Sequence, residues 1–166
     1  LVLETKFEPG RVLELIEQHQ TTFVSGVPTT YQMLAEHPAW ESADISSLRH
    51  LTCGGSAVPL RVLDAYEDRG LAFTMGYGMT ETSPGATTLP PRYSRDKQGS
   101  GGTAHFHTQV RVADPMGQIC PVGEVGEIQV QGPNVIQAYW NRPEANEDSF
   151  LREEDGTWLK TGDMGY

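Results

Sequence analysis

Near the start of the chain apolar residues recur at helical spacing. Val12, Leu13, Leu15 and Ile16 share one stripe of the segment Glu8 to His19, and Pro9 suits a first helical turn. Thr22-Thr-Phe-Val-Ser25 then predicts a short buried strand. Pro28 opens a second helical pattern with Tyr31, Leu34 and Ala35 on one face, and His37-Pro38 stops it. Leu48-Arg-His-Leu-Thr52 predicts the next strand. The Gly-rich turn Cys53-Gly-Gly-Ser-Ala57 follows, then a helix from Pro59 with Gly70 at its C′ position, and Ala72-Phe-Thr-Met75 as a further extended run. Short strands separated by helices imply βαβ units and a parallel sheet, in which ligands sit beyond the carboxyl ends of the strands. The strand-ending loops at residues 53–57 and 76–83 are therefore candidate sites.

Between about Thr82 and Gly102 the composition shifts to Pro, Gly, Ser, Thr and charge without periodicity, as in a long loop or a boundary. Beyond it the period becomes two. Gln109-Val-Arg-Val-Ala113 and Glu127-Ile-Gln-Val-Gln131 alternate, and Asp114-Pro-Met-Gly117 has type I turn chemistry. Asn141-Arg-Pro-Glu144 resembles a capping box opening a short helix toward Phe150. Trp158-Leu-Lys160 returns as a strand before a turn at Thr161-Gly-Asp163. The expected fold class is α/β: a βαβ sheet portion over residues 1–98, then an antiparallel β-rich, distorted barrel-like portion over residues 99–166.

Composition narrows the function classes. At 166 residues a folded chain hides roughly 70% of its unfolded surface, so it needs neither disulfides nor metal to hold a core. Cys53 and Cys120 are too few for a disulfide framework and lack the spacing of a zinc site, which points to a reducing, cytoplasmic compartment. No apolar run is long enough for a membrane span. With 22 acidic against 12 basic side chains the formal net charge is −10, which opposes nucleic-acid and anionic-membrane partners. The chain opens on Leu1 rather than Met and stops just after a strongly patterned segment, so a piece of a longer protein is expected. Cutting it there would expose strand edges and apolar faces, so self-association is expected as well.

Candidate chemistry concentrates in Met75-Gly-Tyr-Gly-Met-Thr-Glu-Thr-Ser83. Gly76 and Gly78 let the backbone approach a ligand closely, and the Tyr77 ring can stack on a purine. The Thr80 hydroxyl can donate to a phosphate oxygen, and Glu81 can hold Mg²⁺, a hard cation that prefers oxygen ligands. The same residues also suit a plain Gly-Tyr-Gly turn followed by a helix start, with Thr80 as cap. Asp163 beside Gly162 can accept from two neighbouring ribose hydroxyls, or can be ordinary turn chemistry. Gly54-Gly-Ser-Ala57 either presses bare backbone against a planar group or merely permits a tight turn. No Gly-x-x-x-x-Gly-Lys loop occurs, and no Gly-x-Ser-x-Gly elbow. His105 and His107 lack a third metal ligand at suitable spacing, and Cys53 reads as a small buried hydrophobe.

The succession Gly26-Val-Pro-Thr29, Leu48 to Ser56, Gly76-Tyr-Gly-Met-Thr-Glu-Thr82, Gly123-Glu-Val-Gly-Glu127, Gly132-Pro-Asn-Val135, Tyr139-Trp-Asn-Arg-Pro-Glu144 and Trp158-Leu-Lys-Thr-Gly-Asp163 resembles, in order, the adenylate-forming (AMP-binding) acyl-CoA synthetases. The resemblance runs over nearly the whole chain and fits the later part of that family's large N-terminal domain. It implies a two-step reaction. A carboxylic acid, a fatty acid by overall similarity, is activated with ATP to an acyl-adenylate and then transferred to coenzyme A, with Mg²⁺ as cofactor. Carried over, Tyr77 would lie against the adenine, Gly78 would be among the nucleotide-binding residues, Thr80 would contact a phosphate, Glu81 would hold Mg²⁺ and Asp163 would bind the ribose hydroxyls. The backbone at Gly55, Ser56 and Ala57 would border the adenine and the acyl tunnel.

Two local departures accompany the resemblance. Met75 stands where much of the family has Gln, Glu or Asn, and Gly102-Thr-Ala-His-Phe-His107 replaces a Gly-x-Pro-x-Pro-Gly-like stretch. The phosphate loop expected upstream and the mobile domain with its catalytic Lys expected downstream lie outside these residues, so the isolated chain is expected to be inactive. Carrier-protein-loading and luciferase-like relatives, and a non-catalytic nucleotide-binding module, are the alternative readings. Gly-Met-Thr-Glu, rather than Gly-Pro-Thr-Glu, favours the ligase over the first of these.

Overall fold

A computed structural model describes all residues, 1–166. It contains two compact units: residues 1–77 with 88–102, and residues 78–87 with 103–166. Each unit draws on two stretches of chain.

The first unit is a three-stranded parallel sheet with helices. Helix α1 (Pro9–His19) leads to β1 (Phe23–Gly26), α2 (Pro28–Ala35), β2 (His50–Cys53), α3 (Leu60–Glu67) and β3 (Phe73–Met75), in the spatial order β1-β2-β3. Parallel pairing sets Val24 beside Leu51 and Leu51 beside Phe73. The expected helix stripe of α1 is buried at Leu13, Leu15 and Ile16. Proline occupies the first turn of α1 and of α2, where its missing N–H costs no hydrogen bond. Helix α3 ends at Glu67, three residues short of Gly70. Gly70 nonetheless takes the left-handed conformation, at φ 75°, as the chain reverses.

An aromatic cluster packs beneath this sheet. Tyr31, Tyr66 and Phe73 are fully enclosed and meet edge to face at centroid separations of 4.8–5.5 Å. Their polar ends are paired, as burial demands. The Tyr31 hydroxyl donates to the Thr52 carbonyl at 2.7 Å and lies 3.0 Å from the Val24 carbonyl, which ties α2 to β1 and β2. The Tyr66 hydroxyl donates to the Tyr31 carbonyl. Desolvation pushes both phenols well above the ordinary tyrosine range.

Strands β4 (Thr87–Thr88) and β5 (Thr103–Ala104) are short and lie where the chain passes from one unit to the other. The second unit is dominated by β6 (Gln109–Ala113), β7 (Gly126–Gln131), α4 (Pro143–Ser149), β8 (Phe150–Glu153) and β9 (Gly156–Gly165). Its sheet runs in the order β6-β7-β9-β8, antiparallel throughout. It is open, with β6 and β8 at its edges, so the barrel-like form expected for this portion is not closed. Four strands are about half the number that closes around an interior filled by side chains.

The Asp114 turn forms as expected, with the Asp114 side chain accepting from the Met116 and Gln118 N–H groups at 2.8 Å. The capping box at Asn141 does not form. Asn141 sits in the left-handed region at φ 52°, Arg142 occupies the cap position without a side-chain cap, and Pro143 starts α4. Gln129 departs from the polar-out alternation of β7. It is buried because the Arg111 Nε donates to it at 2.7 Å while the same guanidinium lies 4.1 Å from the centre of the buried Trp158 ring. No helix is long and apolar enough to cross a membrane.

Candidate nucleotide-binding site

In the first unit the β2–α3 connection carries Gly55, Ser56 and Ala57, all exposed just past the carboxyl end of β2. Gly55 has φ 85°, a conformation that a side chain resists, and only Val27 approaches within 4 Å of where its Cβ would stand. The loop thus presents bare backbone, as the parallel-sheet rule anticipates. Tyr77 follows β3 at the neighbouring strand end and is half-buried. Cys53 closes β2 and is 3% exposed; burial pushes its thiol up to about 11, so it is an inert core residue.

The second unit holds Thr80, Glu81 and Asp163. Thr80 and Glu81 lie on a single 3₁₀ turn, Thr80–Thr82, with Thr80 exposed and Glu81 half-buried. This turn is braced from several directions. Thr82 is wholly buried, and its hydroxyl accepts from the Met79 N–H at 2.9 Å and lies 2.9 Å from the Pro84 carbonyl, to which it can donate. Asn134 donates from Nδ2 to the carbonyls of both Thr82 and Gly85 at 3.0 Å, and its Oδ1 accepts from the Thr108 hydroxyl at 2.9 Å. The Ile136 N–H donates to the Glu81 carbonyl, and the Tyr139 hydroxyl donates to Glu81 Oε1, both at 2.9 Å. Burial, followed by the hydrogen bond to Glu81 and that carboxylate's charge, raises the Tyr139 phenol above its ordinary range.

Gly78 lies hard against the chain's own backbone. A Cβ there would collide with the Pro84 carbonyl and with Gly85, so the missing side chain makes room for the loop's own backbone. The close approach is intramolecular.

The turn expected at Thr161-Gly-Asp163 is a bulge inside β9. Gln129 pairs with Lys160 and Glu127 with Met164, so three residues of β9 stand opposite the single residue Ile128. Gly162 absorbs the bulge at φ 76°, its N–H donates to Glu127 Oε1 at 3.0 Å, and the Thr161 hydroxyl donates to the Ile128 carbonyl at 2.7 Å. Such bulges re-aim side chains, and here Asp163 is held exposed by a fixed strand rather than by a free loop. Thr82, Asn134, Tyr139 and Glu127, the residues that brace the site, were not separable from the sequence. Each nevertheless lies in one of the ordered blocks that carry the family resemblance.

The first unit thus carries exposed Gly-containing backbone past a parallel strand end, and the second carries a braced Thr-Glu turn and an exposed carboxylate on a bulged strand. Residues 1–140 match the AMP-binding enzyme family, and the chain belongs to that family. It is 51% identical over 164 residues to the feruloyl-CoA synthase of Amycolatopsis sp, covering 99% of this chain and 33% of that protein. It is 40% identical over 166 residues to the indoleacetate–CoA ligase of Aromatoleum aromaticum, covering all of this chain and 32% of that protein. Among solved structures it resembles the O-succinylbenzoate coenzyme A synthetase of Bacillus subtilis in complex with ATP and magnesium ion. The TM-score is 0.88 at 39% identity, covering 99% of this chain and 33% of that one. The chain spans about a third of the length of the curated relatives it matches.

Proposed function

We propose that this chain forms nucleotide-holding parts of an ATP-dependent acid–thiol ligase that activates a carboxylic acid as its adenylate and passes it to coenzyme A. The observation that carries the reading is the braced turn of the second unit, in a chain of this family. Thr80 offers an exposed hydroxyl beside a half-buried Glu81 carboxylate, one oxygen of which is already bonded to Tyr139. No Lys, Arg or His forms an ion pair with Glu81. A partly desolvated carboxylate without a basic partner suits a hard cation, so Glu81 fits Mg²⁺, which would supply charge neutralisation for the ATP phosphates.

The remaining assignments follow from chemistry. Thr80 donates to a phosphate oxygen, and Asp163 accepts from the ribose hydroxyls, for which an exposed acceptor on a rigid strand is well suited. In the first unit, Tyr77 offers its ring face to adenine and the bare backbone at Gly55, Ser56 and Ala57 borders a flat group. Gly78 serves the nucleotide indirectly, by permitting the loop to close on itself. Electrostatic stabilisation of charge developing at the attacked phosphate is the catalytic contribution these groups can make.

The acid is an aryl carboxylic acid in this reading, because the relatives named above are ligases of ferulate, indoleacetate and succinylbenzoate. A long-chain fatty acid is the competing substrate. The test is acid-dependent pyrophosphate release by the full-length gene product with ferulate, indoleacetate and palmitate in parallel. Faster turnover of an aryl acid, together with loss of turnover in Glu81→Gln and Asp163→Asn, is expected. Preference for palmitate would remove the aryl assignment, and pyrophosphate release with none of the acids would remove the ligase.

A further inference from the structure

Tyr139 is the one side chain bonded to the Glu81 carboxylate, and it is unusually well secured. The Asn146 side chain, on α4, closes a two-way amide clamp on the Tyr139 peptide: the Tyr139 N–H donates to Asn146 Oδ1 at 2.7 Å, and Asn146 Nδ2 donates to the Tyr139 carbonyl at 3.1 Å. The ring lies 6.1 Å from that of Phe150, itself 9% exposed at the junction of α4 and β8. Three residues earlier, the Ile136 N–H holds the Glu81 carbonyl. The segment 136–139 therefore grips Glu81 at both its backbone and its carboxylate.

We infer that Tyr139 is a positioning residue for Glu81: its hydroxyl fixes the carboxylate through Oε1, leaving Oε2 as the oxygen that would take the metal, and Asn146 fixes Tyr139. The inference rests on Glu81 being the Mg²⁺ ligand proposed above. A free glutamate explores several rotamers and would lose that freedom on binding a cation. A carboxylate already tethered loses less, so the metal binds more tightly and in one orientation. A tyrosine suits this because its donor is rigidly carried and bears no charge to compete with the cation.

The test uses the full-length gene product and reads the Mg²⁺ concentration for half-maximal binding, by calorimetric titration in the presence of ATP without the acid, beside the Mg²⁺ concentration for half-maximal acid-dependent pyrophosphate release. Tyr139→Phe keeps the ring and removes only the donor. The expected result is a rise of about 10-fold or more in the Mg²⁺ requirement, the scale seen when partners of metal ligands are removed, with the unfolding midpoint unchanged. Asn146→Ala should move the Mg²⁺ requirement the same way. An unchanged Mg²⁺ requirement in Tyr139→Phe overturns the inference, whether turnover is intact or reduced. Glu81→Gln separates the two levels. If it keeps wild-type Mg²⁺ dependence, Glu81 is not the ligand and the underlying reading fails. If it loses that dependence while Tyr139→Phe is normal, only the role of Tyr139 fails.

Discussion

Asn134 gives the sharpest test of how the signature turn is held. Its amide makes three hydrogen bonds, two donated to the carbonyls of Thr82 and Gly85 and one accepted from Thr108. All three bridge segments distant in sequence, so no local structure replaces them when the amide is removed. At about 1 kcal/mol net for each bond the sum is about 3 kcal/mol, and water reaching this half-buried site recovers part of it, leaving about 2 kcal/mol for Asn134→Ala. Asn134→Asp tests the geometry rather than the size. It keeps the acceptor facing Thr108 but sets a carboxylate oxygen against two carbonyl oxygens, so it should destabilise at least as much as alanine. Urea unfolding is the assay, with the shift in midpoint multiplied by an unchanged m-value. Asn134→Ala within about 0.5 kcal/mol of the parent, the range of ordinary surface changes, would refute the bracing role. So would an aspartate variant more stable than the alanine one.

Two further outcomes are accessible to simple measurements. Gly78→Ala should cost more than the roughly 1 kcal/mol typical of a mutation, because the added Cβ meets backbone atoms of Pro84 that cannot rotate away; a fully stable variant in the same urea assay would show that the loop opens freely. Cys53 should resist thiol reagents at pH 8 until the first unit unfolds, whereas the half-buried Cys120 reacts first. The folded Cys53 pKa of about 11 exceeds the ordinary value of 9.0, so its neutral thiol contributes fully below pH 9 and the contribution is lost as pH rises toward 11. A stability profile for Cys53→Ala that parallels the parent across this window would contradict the assignment.

Much of the fold was legible because local rules and burial agree. The stripe of α1 puts Leu13, Leu15 and Ile16 where one face is covered, and the structure buries them; the prolines that open α1 and α2 stand where a missing N–H costs no hydrogen bond. Disagreement appears where a second partner intervenes. Gln129 reads as solvent-facing on alternation alone, and it is inside because Arg111 bonds it while the same guanidinium lies over the buried Trp158 ring. Asn141 fits a capping box by type and spacing, yet Pro143 sets the start of α4 and leaves Asn141 in the left-handed region one residue too early to cap.

The candidate chemistry divides along the same line. The residue types and their order, Tyr77, Thr80, Glu81 and Asp163 with the glycines between them, were sufficient to state the family and the kind of ligand, since those depend on which groups are present. What holds the groups was decided only by the folded chain. The bulge that aims Asp163 exists because β7 and β9 pair with unequal counts, and the clamp on Glu81 joins residues 58 positions apart. Spacing along a chain constrains neighbours within a turn or a strand. Hydrogen bonds between distant segments depend on register and packing, and these are set by the whole unit.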